Sequence, residues 1–190
     1  MVSRRLLALI VFALAGCAAS SSDQRARRYG SQTLDVPEGA LRVTERSELA
    51  TPRHAFYYLT RPGLAPLTVV IPRRGEPFDQ RTADAFTRVV RAEDAVNRVA
   101  ELGAERIALW FAALGQSACG MPDLDEPHFA RAERTGDTLR VTYAFAGAGG
   151  ARRCVLELAD DGSLRGARAE APVTHAASAQ TRRWASDRAL

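Results

Sequence analysis

The chain has 190 residues, of which 46% are hydrophobic and 25% charged, with a formal net charge of +4. This length suits one domain of ordinary size with a real hydrophobic core. Arg4 and Arg5 contribute +2 in residues 1–16, and residues 17–34 and 175–190 each carry +2, whereas residues 35–174 hold 18 Arg and 20 Asp or Glu. A nucleic-acid-binding domain carries its basic patch on the fold, so this distribution argues against that class.

The first 16 residues have the three parts of an export signal. Arg4 and Arg5 give the positive start, residues 6–14 the apolar core, and Ala15-Gly16 the small residues before a cleavage site. As a helix, the nine-residue apolar core would span about 14 Å, which is less than half of the roughly 30 Å of bilayer hydrocarbon. We therefore expect a signal peptide over residues 1–16 rather than a transmembrane anchor.

The sequence Leu14-Ala15-Gly16-Cys17 resembles the lipobox of bacterial lipoproteins. The resemblance implies cleavage before Cys17, diacylglycerol on its thiol and a fatty acid such as palmitate on its new amino group. Several acyl chains suffice for stable membrane anchoring. Ala18 stands where the inner-membrane retention rule expects Asp, which implies the outer membrane. The alternative is an ordinary secretory signal with a chance cysteine near the cut.

Residues 17–33 are rich in Ser, Ala, Arg and Gln without an apolar period, which predicts a flexible tether. Its arginines would lie against anionic lipid headgroups or simply keep a linker soluble. At the other end, residues 175–190 are predicted to form a polar tail. A single domain is predicted between them, over residues 34–174.

The domain is predicted to begin with three strands, over Ala40–Thr44, His54–Thr60 and Leu67–Pro72, because β-branched and aromatic residues dominate these runs. Arg61-Pro62-Gly63 is typical of a turn and would join the second and third strands as a hairpin. This is a short β region ahead of the main fold.

Two helices follow. Residues 80–102 show apolar spacings of 3, 4 and 7, which predicts one amphipathic helix that Asp79 or Thr82 could cap and Gly103 would close. The second helix begins near Ala104 and ends at Gly115. Its predicted core stripe is Ile107, Trp110, Phe111 and Leu114.

The last block predicts a four-stranded antiparallel meander over residues 129–134, 138–145, 152–159 and 164–171. Leu139, Val141, Tyr143 and Phe145 alternate with polar residues, so one face of the sheet is expected to be buried. The predicted fold is therefore α+β, with two helices packed on this meander.

If Cys17 carries lipid, Cys119 and Cys154 remain, and an exported chain with two remaining thiols is expected to pair them. Cys119 lies just past the second helix and Cys154 on a strand, so the bridge would join helix to sheet. The absence of a Cys-x-x-Cys motif argues against a thiol oxidoreductase or a zinc ribbon.

Candidate catalytic groups are weak, and we predict no catalytic residue, metal site or cofactor. Asp123, Asp125, Glu126 and His128 could in spacing ligate a cation, but a solvated acidic loop explains them as well. Asp160-Asp161 precedes a glycine and is typical of a hairpin turn. Glu133 and Glu157 could be an acid pair, but arginines on adjacent strands favour cross-strand ion pairs.

Two functions stay open. The first is a non-enzymatic envelope lipoprotein whose domain faces the periplasm or the exterior and contacts an envelope protein, a lipid or peptidoglycan. The second is a periplasm-facing small-ligand binder or hydrolase with a site between the helices and the sheet.

Overall fold

The structure is a computed structural model that describes residues 22–115, 119, 129–147 and 150–170. It is a mixed α/β fold with a few helices and two antiparallel four-stranded sheets. None of the described helices combines the length and apolar character that crossing a bilayer requires. In chain order the elements are α1 (22–34), a 3-10 turn (Glu38–Ala40), β1 (Arg42–Glu45), β2 (His54–Thr60), β3 (Leu67–Pro72), β4 (Phe78–Asp79), α2 (Ala85–Ala92), α3 (Val99–Leu102), α4 (Ala104–Leu114), β5 (Phe129–Thr135), β6 (Thr138–Gly147), β7 (Gly150–Ala159) and β8 (Leu164–Glu170).

The chain divides into two compact units, Met1–Ala83 and Asp84–Leu190. The single domain predicted over residues 34–174 spans both. There are two units because the short β region predicted at the start of this domain forms a complete sheet, which has its own helix and its own core.

The sheet of the first unit has the strand order β1-β2-β3-β4, with every neighbouring pair antiparallel. The predicted bounds of β2 and β3 are confirmed, and Gly63 makes the turn between them with a φ of +82°. All five residues from Leu67 to Ile71 are buried, on both faces of the sheet, as expected for an inner strand. The two residues of β4 are too few to leave a periodic signal in the sequence.

The first helix replaces most of the predicted tether, since residues 22–33 are helical instead of flexible. Ala26 is fully buried and shares a core cluster with Tyr57, Leu59 and Val69 of the sheet. The buried stripe of α1 is built largely from small residues, so it shows no apolar period in the sequence. Its stability comes from packing on the sheet rather than from helix propensity.

The single helix predicted over residues 80–102 is divided in the structure. It begins as α2, ends near the buried Glu93, and resumes as α3. Asp94 breaks the helix because it adopts a φ of +52°, a left-handed conformation that Asp and Asn tolerate better than most residues. Neither Asp79 nor Thr82 caps α2, because the helix starts only at Ala85.

The second unit ends in the predicted meander, with strand order β5-β6-β7-β8. All four strands agree with the predicted bounds to within two residues at each end. Gly136 and Gly162 form the tight turns with φ values of +60° and +79°. Helix α4 packs on β5 and β6. The predicted core residues that the structure describes are buried on this helix and sheet: Ile107, Trp110, Phe111, Leu114, Leu139, Val141 and Tyr143.

Candidate functional site

The structure brings Cys119 and Cys154 together. Their Cα atoms lie 5.6 Å apart, inside the range that disulfides require, and 35 residues of sequence separate them. Both side chains are buried, with Cys154 fully so. Because Cys119 follows α4 and Cys154 lies in the middle of β7, the pair joins the helical layer of the second unit to its sheet, as predicted.

The α1 helix is held on the first sheet by arginine side chains that bind backbone carbonyls. Nη1 of Arg25 donates to the carbonyl oxygen of Pro72 at 3.0 Å, and Nη2 donates to that of Gly75 at 2.7 Å. Nη1 of Arg27 donates to the carbonyl oxygen of Leu41 at 2.7 Å. These two guanidiniums therefore have a structural use that the tether interpretation did not foresee.

A third attachment of α1 is a buried carboxylate. Asp79 of β4 accepts hydrogen bonds from the Tyr29 hydroxyl at 3.2 Å and from Nη2 of Arg81 at 2.9 Å, and only 5% of its side chain is exposed. Burial alone would raise the pKa of Asp79, but the bonds from Arg81 and Tyr29 hold it below its usual range. Burial and the charge of Asp79 raise the pKa of Tyr29. With its oxygens so occupied, Asp79 serves as an anchor for the helix.

Gly30 sets how closely α1 approaches the sheet. A Cβ atom at this position would overlap the Cδ2 methyl of Leu59 and lie 3.2 Å from Cδ1 of Leu41. Arg25 binds the carbonyl of Pro72 at the C-terminal end of β3, whereas Gly30 packs against Leu59 near the opposite end of the sheet. The helix therefore crosses the sheet from the former end to the latter.

The loop where Arg25 binds exposes two adjacent arginines, Arg73 and Arg74. The amide of Arg73 donates to the carbonyl oxygen of Arg53 at 2.7 Å, which fixes the backbone of the loop against the start of β2. The prediction from sequence did not single out these arginines. The signal available was the Pro72-Arg73-Arg74-Gly75 run, in which a strand-ending proline and a glycine enclose two charges.

Asp160 and Asp161 occupy a hairpin turn, which confirms the structural interpretation of this pair. Asp161 accepts a hydrogen bond from the Ser163 amide at 2.9 Å and pairs with Arg91 at 2.6 Å, while Asp160 pairs with Arg134. The bonds from Ser163 and Arg91 lower the pKa of Asp161 to about 2. Both carboxylates thus have cationic partners from the same unit.

Glu133 and Glu157 lie on the charged face of the second sheet, with Arg140 between them in register on β6. Glu133 pairs with Arg131 of its own strand at 2.6 Å, and Glu157 pairs with Arg168 of β8 at 2.9 Å. This face therefore carries ion pairs on several strands. The pair that Glu157 forms with a neighbouring strand agrees with the cross-strand interpretation. The acid pair imagined for glycoside cleavage has no support in this arrangement.

Several sequence candidates lie outside the described residues. These are Cys17 and the loop residues Asp123, Asp125, Glu126 and His128. Within the described ranges no group of three or more His, Cys, Asp or Glu side chains could hold a metal ion. Trp110 and Phe111 belong to the core of the second unit, where Phe111 meets Phe86 edge to face at 5.1 Å between ring centroids.

No family model, curated protein or solved structure matches this chain.

Proposed function

We propose that this protein is a bacterial envelope lipoprotein, anchored through lipid on Cys17, whose folded units act as a non-enzymatic binding or structural module. The single observation that carries the proposal is the sequence Leu14-Ala15-Gly16-Cys17 directly after an apolar run. The partner that this proposal implies besides the membrane is an envelope protein or peptidoglycan, and not nucleic acid. Ala18 after the lipid-bearing cysteine favours the outer membrane, with the fold facing the periplasm or the exterior.

The Cys119–Cys154 pair supports export independently of the lipobox. Disulfides persist in the bacterial periplasm and are rare in the reducing cytosol. These two cysteines lie at bonding distance, although they are 35 residues apart in sequence. A chance approach of two buried thiols is a weaker explanation than a bond made in an oxidising compartment.

A binding role is favoured over catalysis by the use of the carboxylates. Asp79, Glu157, Asp160 and Asp161 each have an arginine partner within their own unit. A carboxyl group that acts as a general acid needs a pKa raised towards the working pH, whereas the pKa values of Asp79 and Asp161 are lowered. The outer strands β5 and β8 of the second sheet present edges to which a partner could add a strand.

The proposal is tested by expressing the full chain in a Gram-negative host and determining the mass of the mature protein. We expect cleavage before Cys17 and a mass increase equal to diacylglycerol plus one fatty acid. Cys17→Ala should abolish the added mass and release the protein from the membrane fraction. Cys154→Ala is the matched control and should leave lipidation intact. A mature chain cut elsewhere, or one without added lipid, would contradict the proposal.

A further inference from the structure

We propose that the first unit lies directly on the membrane surface, with the loop residues Arg73 and Arg74 bound to anionic phospholipid headgroups. This inference rests on the proposed lipidation of Cys17 and names the surface that the fold presents to the bilayer. Two features of the first unit point to this surface: the position at which the chain leaves the fold, and the charge around that position.

The helix is described from residue 22, so only residues 18–21 separate it from Cys17. Five Cα-to-Cα steps reach about 18 Å at full extension, whatever conformation they take. A lipid on Cys17 therefore holds the nearby end of α1 within this distance of the headgroup layer. The fold cannot move several nanometres away, as a flexible tether over residues 17–33 would have allowed.

The same end of α1 adjoins the Arg73-Arg74 loop. Arg25, one turn into the described helix, donates to the backbone carbonyls of Pro72 and Gly75 on either side of the two arginines. The loop is exposed, and among the described residues neither Arg73 nor Arg74 pairs with a carboxylate. Glu76 is the one acidic residue of the loop. The nearby Asp23 lies 3.6 Å from Arg27, which offsets its charge.

The charge balance of the described residues agrees with this placement. Residues 22–83 carry ten Arg against seven Asp and Glu, whereas the described residues from 84 to 170 carry eleven of each. Among the described residues, the positive excess is thus confined to the unit that the lipid would hold at the membrane. Basic side chains within a Debye length of an anionic leaflet are attracted to it, and the attraction is screened by salt.

The test uses the mature chain, residues 17–190, with Cys17→Ala so that no lipid contributes. Removal of residues 1–16 takes away nothing of the described fold. Sedimentation with vesicles measures partitioning onto phosphatidylglycerol mixed with phosphatidylethanolamine, compared with phosphatidylcholine alone. We expect Arg73→Gln combined with Arg74→Gln to lower partitioning onto the anionic vesicles about 30-fold. Arg73→Lys combined with Arg74→Lys should retain it, and 0.5 M salt should abolish it.

The matched control is Arg42→Gln combined with Arg61→Gln. Arg42 pairs with Thr60 at the end of β2, and Arg61 directly follows Thr60. Arg73 lies at the opposite end of β2, because it follows Pro72, the partner of His54. Six residues of strand, about 20 Å, separate the two ends. We expect less than a twofold change from this control pair, and circular dichroism verifies that both double variants are folded.

Equal losses from both double variants, no loss from either, failure of the Lys variant to retain binding, or equal partitioning onto phosphatidylcholine would overturn the inference. Its failure can be distinguished from failure of the proposed function. If the protein is lipidated but the Arg73 and Arg74 variants bind like wild type, the anchor stands and the surface does not. If vesicle binding depends on these arginines but Cys17 carries no lipid, the surface stands without the anchor.

Discussion

Reduction of the Cys119–Cys154 pair is expected to destabilise the second unit strongly. In the chain-entropy model, closing a loop of 35 residues lowers the entropy of the unfolded chain and so raises its free energy by about 4 kcal/mol. With a urea slope of about 2 kcal/mol per molar, this corresponds to a fall of about 2 M in the unfolding midpoint. The loss is a large share of the roughly 5–15 kcal/mol that stabilises a typical domain.

The assay is urea unfolding of the Cys17→Ala chain, followed by tryptophan fluorescence with and without a phosphine reductant. Trp110 is fully buried in the second unit, so its emission reports on that unit. Thiol titration of the unreduced, denatured chain should find no free thiol. The variant that combines Cys119→Ala with Cys154→Ala is the control, because the reductant should not shift its midpoint. A shift of the Cys17→Ala chain below about 0.5 M on reduction would refute the reasoning.

Two further changes test how α1 is held on the first sheet. Gly30→Ala should destabilise the first unit by about 1 kcal/mol in urea unfolding, because overpacking against the fully buried Leu59 outweighs the gain in helix propensity. Gly39→Ala, whose Cβ would meet nothing within 4 Å, should stay near wild type, and equal effects would contradict the steric argument. Asp79→Asn should cost about 1–3 kcal/mol at neutral pH. Because the pKa of Asp79 is lower in the folded chain, its contribution is present above about pH 3.9 and lost as the pH falls below that value, and this part of the pH dependence should disappear in the variant.

The strands were the most predictable part of the fold. Alternating apolar residues such as Leu139 and Val141 fix which face of β6 is buried, and a turn glycine such as Gly136 limits where the strand can begin. The same reasoning located β2 and β3. Local pattern suffices for these elements because each strand pairs with its neighbour in sequence through a short connection.

The helices were harder to predict where local pattern and tertiary structure disagree. The apolar spacing of residues 80–102 continues through Asp94, although the chain there leaves the helix with a φ of +52°. Periodicity reports which side chains are buried and not whether the backbone between them stays helical. Helix α1 was missed for the opposite reason. Its buried residues Ala26 and Gly30 bury little apolar surface of their own, so no apolar period marks the helix in the sequence. Only the sheet beneath them makes that stripe a packing surface.

The candidate site shows the same division between local and distant information. The pairing of Cys119 with Cys154 could be predicted because the choice was small once Cys17 was assigned to lipid. The Arg73-Arg74 loop could not, because its significance depends on Arg25, which is distant in sequence and was assigned to a tether. Composition alone does not distinguish an arginine in a flexible linker from an arginine that binds two backbone carbonyls.

The helical state of residues 22–33 changes what the proposed anchor implies for function. A flexible segment of 16 residues could extend about 55 Å, which would let the fold meet partners well away from its membrane. If Cys17 carries lipid, about 18 Å of chain keeps the start of α1 close to the headgroup layer, so a partner that binds at this end of the first unit would meet it near the membrane. This restriction favours an envelope protein that is itself membrane-bound over a distant polymer as the partner of the first unit. Under the proposed anchor, the exposed Arg73 and Arg74 next to the start of α1 would lie within reach of lipid headgroups whether or not another protein is present.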